Sequence, residues 1–322
     1  MKTRTPCLFG MATFAATVIG LALSARADVI LPDPDYHWAF TNGANGTNSG
    51  NVATSPLTIT NNSSGTVAFS NSGLDLTGNI GAQNTPQSQA GYASGGLPDL
   101  GTLSKFTISF WVNTPVKKSG YQNIMIIGPS NGTLTGTDNV MYMRYNSSVG
   151  SDNNKFELFI GGSDTSGITT IQTEMTPSLN GEWHFFAISY DGTSSKASNS
   201  SIQQAATGTL DNRGNANLQI YQGSYDLDDD LLRQGFYWGQ GGDNWETNKG
   251  AMHFDSDTEI VLGSNIDFSR SLSGMLKDVR IYDDVLSAEQ IGAIRAIPEP
   301  QAAALVLLSA LCTAAISRRR RR

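Results

Sequence analysis

The residue types that hydrolyse glycosidic bonds are present, but their spacing does not pair them. Retaining hydrolysis needs two carboxyl groups about 5 Å apart, and a strand supplies them from alternating positions on one face. The glutamates Glu157, Glu174, Glu182, Glu246, Glu259, Glu289 and Glu299 stand isolated, and no Glu-x-Asp-x-x-Glu pattern occurs. Asp283 and Asp284 are adjacent, so on a strand they point to opposite faces. His37, His184 and His253 sit in or beside strand-like runs, with no helix-spaced pair for zinc. His37 and His184 read as packing or edge residues.

Two features suit binding better than catalysis. The run Asp226-Leu227-Asp228-Asp229-Asp230 places hard oxygen donors at short spacing, the chemistry that holds calcium. It lacks the glycine and the distant glutamate of an EF-hand loop. Asp243, Asp255 and Asp257 complete a site if the segment folds back, and a solvated acidic loop is the plainer reading. The same region holds Phe236-Tyr237-Trp238 and Trp245 among Gly235, Gly239, Gly241 and Gly242. Glycines let a loop bend sharply, and aromatic faces with polar neighbours stack on sugars. Tyr237, Trp238 and Trp245 are therefore candidate ligand contacts, and Asp226, Asp228 and Asp230 candidate calcium ligands. The alternative is that Trp238 and Trp245 cover the edge of the fold.

The elements that must position these residues are almost all strands. Phe106-Thr107-Ile108-Ser109-Phe110 alternates apolar with small or polar residues, and the runs 155–160, 183–190, 218–221, 259–262 and 275–282 are similar. Clusters of Gly, Asn, Ser, Thr and Asp separate them. One helix is expected: Ser287-Ala288-Glu289-Gln290 is a capping box, followed by Ile291 and Ile294 and ended by Pro298. At about two turns it must pack on a sheet to persist. Trp38, Trp111 and Trp183 lie in strand runs and read as core.

Five segments in order carry a resemblance. They are His37-Trp38-Ala39-Phe40; Gly73-Leu74-Asp75-Leu76-Thr77-Gly78; Phe106-Thr107-Ile108-Ser109-Phe110-Trp111-Val112; the run 181–192; and Ser273-Gly274 through Lys277-Asp278-Val279-Arg280-Ile281-Tyr282 to Ile291. Together they resemble a LamG-like jelly roll of the concanavalin A-like lectin/glucanase superfamily. That resemblance implies an all-β, two-sheet antiparallel sandwich with one short C-terminal helix, its first and last strands adjacent. The sequence departs from it at Thr41, where such domains often carry an acid, and in the longer, aromatic 224–257 connection.

The two ends read as addresses. Lys2 and Arg4 precede an apolar run, 7–23, and Ala25-Arg26-Ala27 fits a small-x-small cleavage site, so 1–27 is expected to be a signal peptide. At the other end Pro298-Glu299-Pro300, an uncharged run 302–316 and five arginines, 318–322, stand in fixed order. The run is shorter than the roughly 20 residues of a comfortable span, and the arginines favour the cytoplasmic side. This tail resembles a PEP-CTERM sorting signal, which implies recognition of Pro298, Glu299 and Pro300 by an exosortase-type enzyme. A tail anchor with a basic stop is the alternative. The expected division is thus 1–27, a jelly-roll domain 28–297 and a sorting tail 298–322 with transient insertion through a transmembrane helix. Both cysteines, Cys7 and Cys312, fall in the addresses. With eight of the 21 basic residues there too, 13 remain against 28 acidic ones if Glu299 stays, a balance of −15, or −14 if Glu299 leaves with the tail. Such a body is a poor partner for nucleic acid. The combined expectation is an exported, non-catalytic surface or matrix protein that binds extracellular polysaccharide or mediates adhesion. A polysaccharide-active enzyme with an atypical site, or a purely structural envelope protein, are the alternatives.

Overall fold

The structure is a computed structural model describing residues 29–40, 46–80, 85–113, 120–129, 141–147, 154–160, 169–174, 181–193, 218–225, 232–234, 251–254 and 256–297. The chain divides into two compact units, Met1–Ile30 and Leu31–Arg322. Everything below concerns the second.

The first strands in chain order are β1 (Tyr36–Trp38), β2 (Thr58–Asn61), β3 (Ala68–Ser70), β4 (Gly73–Asp75), β5 (Gly91–Gly96) and β6 (Thr102–Leu103). Longer ones follow: β7 (Lys105–Asn113), β8 (Gly120–Pro129), β9 (Met141–Ser147), β10 (Asn154–Ile160), β11 (Thr169–Glu174) and β12 (Trp183–Asp191). The last are β13 (Leu218–Ser224), β14 (Leu232–Gln234), β15 (Met252–His253), β16 (Thr258–Leu262) and β17 (Met275–Tyr282), before the helix α1 (Ala288–Arg295). Among the described residues these build an eight-stranded sheet, β14-β13-β12-β7-β17-β4-β3 with β1 also on β17, and a seven-stranded sheet, β11-β10-β9-β8-β16-β5-β2. A small β15-β6 pair stands apart. The fold is an all-β antiparallel sandwich of two sheets with one short helix, as the strand runs and the capping box predict, in the jelly-roll arrangement that the family resemblance implies. The first and last strands pair, Tyr36 opposite Ile281 and Trp38 opposite Val279.

Alternation decides which face each residue serves. On β7, Phe106, Ile108, Phe110 and Val112 enter the core between the sheets, and on β12 Phe186, Ile188 and Tyr190 join them. The second sheet answers with Met141, Met143 and Tyr145 of β9 and Phe156 and Leu158 of β10. Phe156 bridges the layers, 5.0 Å from the Phe186 ring centre and 6.5 Å from that of Phe110. Each such buried ring contributes roughly 1.5–3 kcal/mol. β12 is apolar on its other face as well, because Phe185 and Ala187 lie with Trp111, Tyr221 and Tyr282 under Leu286, Ile291 and Ile294. Trp38 is fully buried between the sheets. Trp111 and Trp183 instead belong to the layer outside the first sheet, where the helix needs an apolar seat.

The helix starts where its capping box predicts. Gln290 N–H donates to Ser287 Oγ at 3.2 Å, and Ser287 N–H donates to Gln290 Oε1 at 2.9 Å. Among the described residues no helix is long and apolar enough to cross a membrane. Residues 1–27, the run 302–316 and the Pro298-Glu299-Pro300 motif lie outside the described residues.

Asn79 is a buried clasp between the sheets. Its Nδ2 donates to Gly91 O at 3.1 Å and to Leu272 O at 2.9 Å, and its Oδ1 accepts from Gly91 N–H at 2.8 Å. Removing all three leaves buried backbone groups unsatisfied, at about 1–3 kcal/mol per group. Asn79→Ala is therefore expected to lower stability by roughly 2–4 kcal/mol in denaturant unfolding. A loss below about 0.5 kcal/mol would mean that water replaces the clasp.

Candidate functional site

The outer face of the second sheet carries the chemistry. On β9 the residues between the core positions, Tyr142 and Arg144, point away from the core. Glu157 on β10 lies opposite Arg144, and Asn123 on β8 lies opposite it on the other side. A register irregularity between Asn123 and Met125 inserts an extra residue in β8. It lets Ile124 and Met125 both enter the core while Asn123 and Ile126 face outward. The face therefore has an apolar row, Val261, Ile126 and Tyr142, flanked by Tyr92 and Ile266. Beside it runs a polar row, Asn123, Arg144 and Glu157.

Arg144 joins the polar row to an aromatic one. Its Nε donates to Glu157 Oε2, and the Glu157 side chain is wholly buried beneath it. The guanidinium carbon sits 3.9 Å from the Tyr121 ring centre and 5.5 Å from that of Tyr142. A second guanidinium, Arg270, approaches the same Tyr121 ring at 5.4 Å. Burial pushes the Tyr142 phenol up to about 12, with Arg144 and Arg270 opposing the rise. That hydroxyl is a hydrogen-bond donor at any physiological pH.

Arg270 is delivered by a tight loop, 264–271. Phe268 and Arg270 both adopt left-handed backbone, φ 63° and 52°, a conformation that costs about 1–3 kcal/mol for such residues. The loop holds them there: Asn265 Nδ2 donates to Ser269 Oγ at 2.7 Å, and Ser269 N–H donates to Asp267 Oδ1 at 2.9 Å. Asn123 N–H donates to Arg270 O at 2.7 Å and ties the loop to β8. Phe268 then meets Tyr92, ring centres 5.5 Å apart. The result is a preformed cluster of aromatic and guanidinium planes over a buried carboxylate, with Ile126, Tyr142 and Val261 buried and Arg144 nearly so. Such planes stack on sugar faces, and the guanidinium edge donates to hydroxyls or carboxylates. The face does not assemble a hydrolytic pair from Glu157 and Glu259: three strand spacings separate β10 from β16, about 14 Å, beyond either glycosidase geometry.

The other outer face holds a different cluster. Lys277 of β17 is 5 % exposed, its Nζ 4.1 Å from the Trp183 ring centre, 4.6 Å from Tyr225 and 6.0 Å from Trp111. A cleft of about 380 Å³ is lined by Asp35, Asp99 and Asp283 with Lys105 and Ser104. No group of three metal-ligating side chains forms among the described residues.

The residues singled out from sequence, Tyr237, Trp238 and Trp245 with Asp226, Asp228 and Asp230, lie outside the described residues. Sequence reading missed Tyr121, Arg144 and Arg270, and it left Glu157 as an isolated acid. The available signal was Met141-Tyr142-Met143-Arg144-Tyr145, a period-2 run whose second face carries Tyr and Arg. His184, read as a packing or edge residue, is buried on β12, and burial lowers its imidazole pKa. Gly128-Pro129-Ser130-Asn131-Gly132 also has the spacing of a nucleophile elbow, but residues 130–132 lie outside the described residues.

Residues 87–222 match the sequence profile of the concanavalin A-like lectin/glucanases superfamily. No curated protein sequence matches the chain. Domain 4 of AbnA, an extracellular arabinanase of Geobacillus stearothermophilus solved with arabinotriose, aligns at 16 % identity and TM-score 0.48, covering 82 % of this chain and 98 % of that one. The botulinum neurotoxin serotype G binding domain aligns at 12 % identity and TM-score 0.49, over 82 % of this chain and 50 % of that one. The CBM40 of the Ruminococcus gnavus IT-sialidase, bound to α2,3-sialyllactose, aligns at 13 % identity and TM-score 0.36, over 61 % and 84 %.

Burial lowers the Lys277 ammonium to about 8, with Asp278 opposing. An unfolded lysine titrates near 10.4, so between about pH 8 and 10.5 the unfolded chain holds a proton the folded one has released. Stability from this group is lowest below pH 8 and rises through that window. The shift corresponds to roughly 3 kcal/mol, and the aromatic faces return part of it by about 1–2 kcal/mol. Lys277→Met is expected to be more stable than the parent at pH 7 by roughly 1–2 kcal/mol, and the gap should close by pH 10.5. Denaturant unfolding of both proteins across pH 7–10.5 measures it, and a variant less stable at pH 7 would show that the cation–ring contacts outweigh burial.

Proposed function

We propose that the sandwich is a glycan-binding module whose outer face does not cleave glycosidic bonds and that an extended polysaccharide lies across the outer face of its second sheet. The observation that carries this reading is the Tyr121 ring approached by both the Arg144 and the Arg270 guanidinium, beside the apolar row Tyr142, Ile126 and Val261. The left-handed loop that aims Arg270 supports it, because strain held this firmly prepares a surface before the ligand arrives. The superfamily match over residues 87–222 agrees with a lectin-like role. The Arg144–Glu157 pair supports binding over catalysis, since it occupies the buried carboxylate. The acidic, cysteine-free body between two terminal addresses supports work outside the cell, at the surface or in a matrix, after sorting by an exosortase-type system.

A polysaccharide array run on the chain, with and without calcium, is expected to give saturable binding to a defined class. Tyr121→Ala should weaken it roughly tenfold by loss of stacking while the unfolding midpoint stays within a few degrees. Trp238→Ala and Trp245→Ala serve as the contrast: binding lost in those and kept in Tyr121→Ala moves the site to the 224–257 segment. Silence across broad glycan and matrix panels contradicts the binding role altogether.

Sorting has its own test. The intact mass of the chain recovered from the cell surface should correspond to a start at Asp28 and an end near Pro298-Glu299-Pro300. A mass that retains residues 302–322 would favour a permanent tail anchor.

A further inference from the structure

His37 lies on β1, where its neighbours Tyr36 and Trp38 enter the core and its own side chain faces outward. Two groups take its ring nitrogens. Asp278 Oδ1 lies 2.8 Å from Nε2, and Ser49 Oγ lies 3.0 Å from Nδ1. Asp278 also accepts from Arg280 Nε at 2.8 Å. Burial alone would raise the Asp278 carboxyl, but the His37 hydrogen bond and the Arg280 guanidinium outweigh it and hold it below the usual carboxylate range. An ionised Asp278 fixes the imidazole proton on Nε2. Nδ1 is then the acceptor, and the Ser49 hydroxyl donates to it. The competing contact, Ser49 Oγ to His37 O, is longer at 3.3 Å.

Both ends of this relay are built rather than incidental. Asn48 Oδ1 accepts from His37 N–H at 2.7 Å and from Gly50 N–H at 2.9 Å, and Ser49 N–H donates to His37 O at 2.8 Å. The turn sits so close on β1 that a Cβ on Gly50 would come within 2.4 Å of Asp35 O. Ser49 is thus an exposed hydroxyl on a fixed turn. At the other end Asp278 takes φ 51°, inside the register shift between Lys277 and Arg280. Bulges of this kind re-aim a side chain, and this one turns the carboxylate onto His37.

We propose that Ser49, His37 and Asp278 form a base-activated nucleophile that takes acyl groups from accessible carboxylic esters. In the first step Ser49 Oγ bonds to the acyl carbon, the ester C–O bond breaks, and the Ser49 proton passes through His37 to the leaving alcohol. In the second, water bonds to the acyl carbon, the Ser49–acyl bond breaks, and the water proton returns through His37 to Ser49. Asp278 is a positioning residue, and Arg280 orients it. The backbone N–H groups of residues 49–52 all donate within the fold, so general-base assistance sets the scale, about 10²–10⁴-fold. An exposed serine on a tied-down turn suits esters carried on a large polymer or a small free ester.

The test uses the folded chain, a fluorophosphonate probe and p-nitrophenyl acetate. Peptide mass spectrometry should find the phosphonate on Ser49 at least tenfold faster than on other exposed serines. Acetate release should exceed buffer by about 10²-fold. Ser49→Ala should abolish both and leave the unfolding midpoint unchanged, because the side chain is exposed. Asp278→Asn keeps a hydrogen bond to the imidazole but favours the wrong tautomer, and should slow labelling at least tenfold. Labelling of Ser49 no faster than that of other serines, unchanged labelling in Asp278→Asn, or full ester release by Ser49→Ala would each overturn the proposal.

Discussion

The fold turns on β17 and on the irregularity within it. β7 runs along one edge of this strand, and β4 and β1 share the other, β4 at Met275–Leu276 and β1 at Val279–Ile281. A straight strand would hold one register with β7 throughout. Instead the pairing shifts between Lys277 and Arg280, and Asp278 adopts a left-handed backbone to make the shift. That residue gives up local comfort of about 1–3 kcal/mol. In return its carboxylate binds His37 and Arg280, which locks β1 beside β17 across more than two hundred residues of intervening chain. The entropy of closing so long a loop grows only logarithmically with its length, so a few strong contacts at the seam suffice. Gly73 meets the same constraint from the other side. Its φ of 147° and the 2.6 Å that a Cβ would leave to Leu276 O demand glycine at the start of β4.

From that seam the two sheets take different outer faces. The first is sealed by the helix and an aromatic layer, so β12 can be apolar on both sides and Lys277 can be buried among rings. The second has an apolar row that stops at Tyr142, after which guanidinium and phenol groups take over. The division follows from composition along each strand. Phe185 and Ala187 ask for cover on β12, whereas Tyr142 and Arg144 combine apolar bodies with polar ends and suit contact with a hydrated ligand. The loop 264–271 then fixes the edge of that face at a cost in backbone strain, and preorganisation of this kind lowers the cost of ordering side chains when a ligand binds.

The sequence made the frame legible and the face much less so. Phe106 to Val112, Trp183 to Tyr190 and Met275 to Tyr282 alternate or run apolar strongly enough to announce strands, and the Ser287 box announces the helix. The adjacency of the first and last strands came from the ordered motifs of the resemblance. Arg144 and Glu157, by contrast, are 13 residues apart and meet only through the β9–β10 register. Nothing in a linear pattern distinguishes that pair from two solvated charges. Arg270 depends on a left-handed loop without glycine at its strained positions, which propensity argues against. His37 shows the same limit. As a lone histidine in an alternating strand it reads as an edge residue, and only the turn at Asn48 and the irregularity at Asp278, 241 residues away, give it partners. Trp111 is buried as read, but in the cluster beneath the helix, and Trp183 packs against that cluster only partly buried, because sequence cannot tell which face of a sheet a helix will cover.

The central claim is that ligand contact belongs to the outer face of the second sheet. Hydrogen–deuterium exchange of the chain with and without a bound polysaccharide tests it most directly, because it reads the face without altering any residue. The account predicts slowed exchange in peptides from 120–129, 141–147 and 264–271, with the first-sheet strands β12 and β13 unchanged. Protection confined to the 224–257 segment or to the first sheet, with those three peptides unaffected, would contradict it.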